Sequence, residues 1–129
     1  MTALSVIITC LAVTITSTAF AQTDKVLDGN EFIVKTIDGP DVNLETPQNL
    51  IFARGKADAP VCHMYGFYEA PYDAYEKDGV IYFSFTNESE SEGKLVFNGY
   101  VTDNKIKGSY VWQKQGREDL KYDFEGQLN

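Results

Sequence analysis

The sequence predicts an all-β fold: an antiparallel up-and-down meander that closes into a small barrel of about eight strands, after an N-terminal signal peptide. Three observations carry this prediction. From Val80 onward, aromatic and β-branched residues alternate with polar ones at period two, and turn residues interrupt them at short intervals. Two turn signals, Asp78-Gly79 and Asp103-Asn104, independently give strand registers that agree with this alternation. Glycines recur on the inward phase of three strands, where a packed sheet would hold a side chain.

The first segment, Met1 to Ala21, has no charged side chain and ends in Ala19-Phe20-Ala21. An apolar run closed by small residues at the −1 and −3 positions reads as a secretory leader cut before Gln22. The segment lacks the Lys or Arg usual at the start of a leader, and a run of about 20 apolar residues also suits a single N-terminal membrane anchor. Thr9, Thr14, Thr16, Ser17 and Thr18 dilute the apolar run and favour cleavage, which removes Cys10 as well. Residues 22–129 then form one domain, expected to work in a secreted or periplasmic location without inserting into the membrane.

Nineteen acidic against eleven basic residues give a net charge of −8, which a phosphate backbone would repel. Nucleic acid is therefore not an expected partner. Cys62 stands alone in residues 22–129, so no internal disulfide forms and stability must come from packing.

In chain order, Leu27 to Thr36 alternates weakly and ends at the turn Asp38-Gly39-Pro40. Asp41 to Asn49 and Arg54 to Pro60 read as loops, with Pro47, Gly55 and Pro60 as breakers. Between and after them, Leu50 to Ala53 and Val61 to Phe67 read as two short apolar strands. The later meander is more regular. Ile81, Phe83 and Phe85 share one face with Leu95, Phe97 and Val101, then Ile106, Tyr110 and Trp112, then Tyr122, Phe124 and Leu128. Tyr82, Ser84, Lys105, Lys107, Ser109, Lys121, Asp123, Glu125 and Gln127 take the wet side, as expected of antiparallel strands covered on one face.

A two-residue turn at Asp103-Asn104 sets Val101 opposite Ile106, Phe97 opposite Tyr110 and Leu95 opposite Trp112, so dry residues meet dry residues. The turn at Asp78-Gly79 sets Tyr72 against Phe85 and Ala74 against Phe83. In the same register Gly99 lies opposite Gly108, and a loop through Gln115 to Asp119 would bring Gly126 level with Gly108. A row of inward glycines marks where a sheet bends sharply to close on itself.

The patterns Leu95-x-Phe97-x-Gly99-x-Val101, Ile106-x-Gly108-x-Tyr110-x-Trp112 and Tyr122-x-Phe124-x-Gly126-x-Leu128 follow Cys62-His63-Met64-Tyr65-Gly66-Phe67. Together they resemble the calycin-like, lipocalin-like small barrels of secreted bacterial proteins, over most of Leu27 to Asn129. The chain is shorter than true lipocalins and lacks their early Gly-x-Trp signature. The resemblance implies a non-catalytic barrel with a small apolar or aromatic ligand at its mouth.

The chemistry-bearing residues are few. The one His and the one Cys of residues 22–129 are adjacent, and on a strand such neighbours point to opposite faces. They cannot easily share an ion or form a thiolate–imidazole pair, and zinc needs three or four convergent ligands. A small buried thiol beside an exposed imidazole is the plain expectation; a reactive thiol or an intermolecular disulfide is the alternative. Glu88-Ser89-Glu90-Ser91-Glu92 lacks EF-hand spacing and reads as a solvated hairpin loop, and Asn87-Glu88-Ser89 matches the glycosylation sequon. No phosphate loop, nucleophile elbow or carboxylate pair stands out, so no enzyme activity, metal or cofactor is expected.

Tyr65, Phe67, Tyr68, Tyr72 and Tyr75 crowd one stretch around Pro71 and either cap one barrel end or form an amphipathic rim. With the inward aromatics, this gives Tyr65, Phe67, Tyr72, Tyr110 and Trp112 as candidate ligand-binding residues. Phe83, Phe85, Phe97, Tyr110, Trp112, Tyr122 and Phe124 bring seven rings inward, which predicts a largely solid interior with a shallow pocket near Tyr65, Phe67 and Tyr72. A solid barrel would instead suit a protein-interaction module, such as an inhibitor or envelope accessory protein.

Overall fold

The structure, a computed structural model, describes residues 26–40 and 46–129. The expected leader lies outside the described residues. Eight strands follow in order: β1 Asn30–Asp38, β2 Gln48–Ala53, β3 Lys56–Asp58, β4 Ala70–Lys77, β5 Val80–Ser89, β6 Gly93–Thr102, β7 Lys105–Gln113 and β8 Leu120–Leu128. Each pairs antiparallel with the next, and β1 pairs with β8 to close the barrel. Among the described residues, no helix is long and apolar enough to cross a membrane.

Both hairpin registers agree with the sequence. Asp78 and Gly79 take positive φ of 53° and 80° in the β4–β5 turn, and Tyr72 faces Phe85 while Ala74 faces Phe83. Asp103 takes φ 55°, and Val101 faces Ile106, Phe97 faces Tyr110 and Gly99 faces Gly108. Asp tolerates this left-handed backbone better than most side chains. The Gly99–Gly108 contact is close. A Cβ on Gly99 would lie 2.7 Å from Phe83 Cζ, and one on Gly108 would strike Asn98 O and lie 2.9 Å from Phe124 Cζ.

Gly126 is displaced from the expected position. It faces Ile106 on β7 and Val34 on β1, while Phe124 faces Gly108. The cause is the loop before β8: β7 ends at Gln113 and Lys114 leaves the strand, where its carbonyl accepts from Arg117 N–H at 3.2 Å and its ammonium reaches Glu92 at 3.0 Å. This slides β8 by two residues and preserves every inward and outward assignment. At the strand's end, Leu128 is nevertheless 38% exposed.

The first half departs further from expectation. Within the stretch expected to be a loop, Lys56–Asp58 forms β3, joined to β2 through a turn in which Arg54 and Gly55 take φ of 54° and 75°. Val61 to Phe67 is not a strand: Pro60–Tyr65 is a 3-10 helix. Proline has no N–H for a sheet ladder but suits the first turn of a helix. Cys62 N–H donates to Ala59 O at 2.8 Å, and Gly66, at φ 86°, ends the helix by donating to His63 O at 2.9 Å.

The interior has two halves. At the end formed by the turns at 54–55, 78–79 and 103–104, Phe52 is fully buried and meets Phe32, Tyr72, Phe83 and Phe85 edge-on, at centroid distances of 5.0–6.0 Å. Edge-to-face contacts of this kind add to the burial of large rings. The Val26–Gly29 turn plugs this end with fully buried Leu27. Asp28 pins the plug by accepting hydrogen bonds from Gly55 N–H at 2.9 Å and from the Tyr72 hydroxyl at 2.7 Å.

Candidate functional site

The other half of the barrel lies between the loops at 59–69, 90–92 and 114–119, and it opens into a cavity of about 440 Å³. Its inner wall carries Tyr122, Tyr110 and Phe97, opposite one another on β8, β7 and β6, and the row continues outside the lining to Phe85 on β5. Their rings stack at 4.8, 5.0 and 4.4 Å. Parallel, offset rings on neighbouring strands are a favourable cross-strand arrangement and fix one another's orientation. Val34, Leu50 and Leu95 complete the apolar wall.

Four of the five expected ligand-binding residues, Tyr65, Phe67, Tyr110 and Trp112, line this cavity. Tyr72 does not. It continues the same row on β4, opposite Phe85, but its ring packs on Phe52 and its hydroxyl is spent on Asp28, so it belongs to the closed half. Burial first, and the Asp28 contact second, push its phenol well above the ordinary tyrosine range. The cavity is also deeper than the shallow pocket expected, since it extends to Phe124 on β8.

Trp112 stands at the rim, half-buried and packed against the core. Its Nε1–H donates to Glu92 O at 2.6 Å, and the Arg117 guanidinium lies 4.1 Å from the ring centroid, within cation–π range. Phe97, Tyr110 and Trp112, expected among the inward rings, all lie along this wall. Deeper inside, the buried Thr36 hydroxyl and the Tyr110 hydroxyl lie 3.0 Å apart across the lumen. Burial pushes the Tyr110 phenol upward, more strongly than its bond to Thr36 pulls it down.

The 3-10 helix supplies the cavity's outer wall through Val61, Cys62 and Met64. Burial first, and the nearby Asp58 second, push the Cys62 thiol up to about 11, which favours the thiol over the thiolate at neutral pH. His63 is half-exposed, bonded to Asp58 at 2.7 Å and packed against Tyr68 at 5.0 Å. Among the described residues, no group of three His, Cys, Asp or Glu side chains gathers as a metal site.

Sequence reasoning missed what holds this wall. Asn87 is buried and its amide donates to Tyr68 O at 2.7 Å, while Ser89 Oγ donates to Tyr65 O at 2.8 Å. The residues of the apparent sequon thus fasten the end of β5 to the segment that closes the cavity. The signal was available: Asn87 occupies the inward phase of β5, opposite Leu95. Of the acidic run expected to be a loop, Glu88 lies on β5 and pairs with Lys94 at 3.5 Å, while Glu92 in the turn pairs with Lys114 at 3.0 Å.

A second concavity, of about 670 Å³, lies on the outside of the barrel. Tyr75, Tyr82 and Tyr100 cross three strands there, 5.1 and 6.3 Å apart and 37–55% exposed, beside the polar row Asp73, Ser84, Asn98, Ser109 and Asp123. No family model, no curated protein and no solved structure matches the chain.

Proposed function

We propose that the chain is a non-catalytic, calycin-like barrel protein of a secreted or periplasmic location, holding one small apolar or aromatic molecule in its mouth cavity. The observation that carries this reading is the inner cavity itself: about 440 Å³, walled by fixed rings and aliphatic side chains with a few polar atoms. Sites of roughly 300–1,000 Å³ with this balance of apolar wall and sparse polar groups are the usual form of small-molecule pockets. The leader-like sequence of Met1 to Ala21 supports the location, and a neutral Cys62 thiol is consistent with binding rather than nucleophilic chemistry.

Native mass spectrometry of protein purified from its own host tests the reading. A reproducible mass excess that disappears on denaturation is the expected result. A clean apo mass would overturn it in favour of a second reading, an interaction module. That reading draws on the exposed row Tyr75, Tyr82 and Tyr100, since tyrosines are enriched at protein interfaces.

A further inference from the structure

The chain has thirty charged side chains, nineteen acidic and eleven basic, yet none lines the cavity among the described residues. The polar groups that do line it are uncharged: Thr36, Thr46, Gln48, Asn49, Cys62 and the tyrosine hydroxyls. Outside the lining, Arg117 lies over Trp112 and Lys114 pairs with Glu92. An ionised ligand group entering here would lose its hydration and meet no counter-charge among the described lining residues, which is far more costly than burying a neutral polar group that keeps a hydrogen bond.

One polar feature inside the lumen is placed to read a ligand. The Thr36 and Tyr110 hydroxyls come from β1 and β7, and they meet at 3.0 Å. Each hydroxyl has one donor and two acceptor lone pairs. When one donates to the other, the pair retains one O–H and spare acceptor capacity. The Tyr110 ring is held between Phe97 and Tyr122 at 5.0 and 4.8 Å, so its hydroxyl is fixed before a ligand arrives. The same stacking occupies the faces of this ring that a cationic ligand would need for a cation–π contact.

Building on the proposed carrier role, we infer that the cavity selects an uncharged, ring-bearing molecule with one hydroxyl or carbonyl group, which hydrogen-bonds the Thr36–Tyr110 pair. Anionic amphiphiles are rejected for want of a cation, and pure hydrocarbons bind more weakly because they leave the pair's remaining hydrogen-bonding capacity unmet.

Four probes sharing one skeleton test this: naphthol, naphthalene, naphthoate and naphthylmethylammonium, measured by equilibrium dialysis against the full chain at neutral pH. Naphthol is expected to bind about tenfold more tightly than naphthalene, the scale of one hydrogen bond. Both ions are expected to bind more weakly than naphthalene. Tyr110→Phe should remove the preference for naphthol over naphthalene. Thr36→Val, a near-isosteric change, should reduce the same preference and serves as a check should Tyr110→Phe fail to fold.

Naphthoate or the ammonium binding as tightly as naphthol would overturn the inference and leave the carrier reading intact, as would a full naphthol preference in both variants. Failure of all four probes to bind would remove the carrier reading and the inference with it.

Discussion

The two halves of the barrel are built from the same alternation of inward and outward side chains, yet one is solid and the other hollow. In the closed half, β2 sends Phe52 to the centre, where four other aromatic rings surround it, and Leu27 seals the end from above. In the open half, β2 supplies Leu50 and Gln48, and the three-residue β3 gives way to a 3-10 helix that forms a wall rather than a filling. An eight-stranded barrel can either fill with side chains or hold one small molecule. Here the placement of one phenylalanine and the shortness of one strand decide which half does which.

The comparison breaks most visibly at Phe52. Phe52→Ala should destabilise by about 3–5 kcal/mol in urea melts, since the ring is fully buried at the meeting point of four others. A loss below about 1 kcal/mol would mean that the closed half is not solid. Gly108→Val should follow, at about 1–3 kcal/mol or more, because the new side chain would enter the contact with Asn98 O and Phe124. Wild-type melting of that variant would place the sheet's tight bend elsewhere.

Trp112 sharpens the contrast. A fully packed tryptophan would cost as much as Phe52 on truncation, but Trp112 is half-buried at the rim of a cavity. Trp112→Ala should therefore cost about 1–2 kcal/mol in the same melts, while it weakens naphthol binding. Equal costs for Phe52→Ala and Trp112→Ala would erase the distinction between the halves.

The smallest effect is a pH dependence confined to the closed half. Tyr72 is held above its ordinary value of 10.0 by burial first and by Asp28 second. The folded chain keeps this proton more tightly than the unfolded chain, so the contribution is whole below pH 10 and is lost as pH rises beyond it. Tyr72→Phe should flatten the alkaline loss of stability relative to wild type. Parallel pH profiles for the two proteins would contradict the buried Tyr72–Asp28 contact.

The long strands β4 to β8 were legible in the sequence because eight to ten residues of alternation, bounded by Asp-Gly and Asp-Asn turns, leave little freedom of register. The position of Gly126 was not, because a loop of unpaired residues fixes no register and two residues more or less leave the inward pattern unchanged. β3 was invisible at three residues, and Val61 to Phe67, most of which is the 3-10 helix Pro60–Tyr65, read as a strand because so short an apolar-rich run carries no decisive period. Of these, the 3-10 helix falls on the cavity wall, whereas Gly126, opposite Ile106, and β3, opposite Phe52, lie toward the closed end. Tyr65, Phe67, Tyr110 and Trp112 were found as inward or rim aromatics, whereas Thr36 and Asn87, small polar residues on inward phases, acquire meaning only from partners far along the chain, Tyr110 and Tyr68.

Whether one half is solid and the other hollow is decided by a crystal structure of the protein under xenon pressure. Xenon enters dry apolar cavities and leaves filled cores alone. Xenon density in the mouth cavity beside Tyr110 and Trp112, with none around Phe52, is the predicted result. Xenon beside Phe52, or a mouth closed over by its own side chains with no xenon in it, would contradict the account.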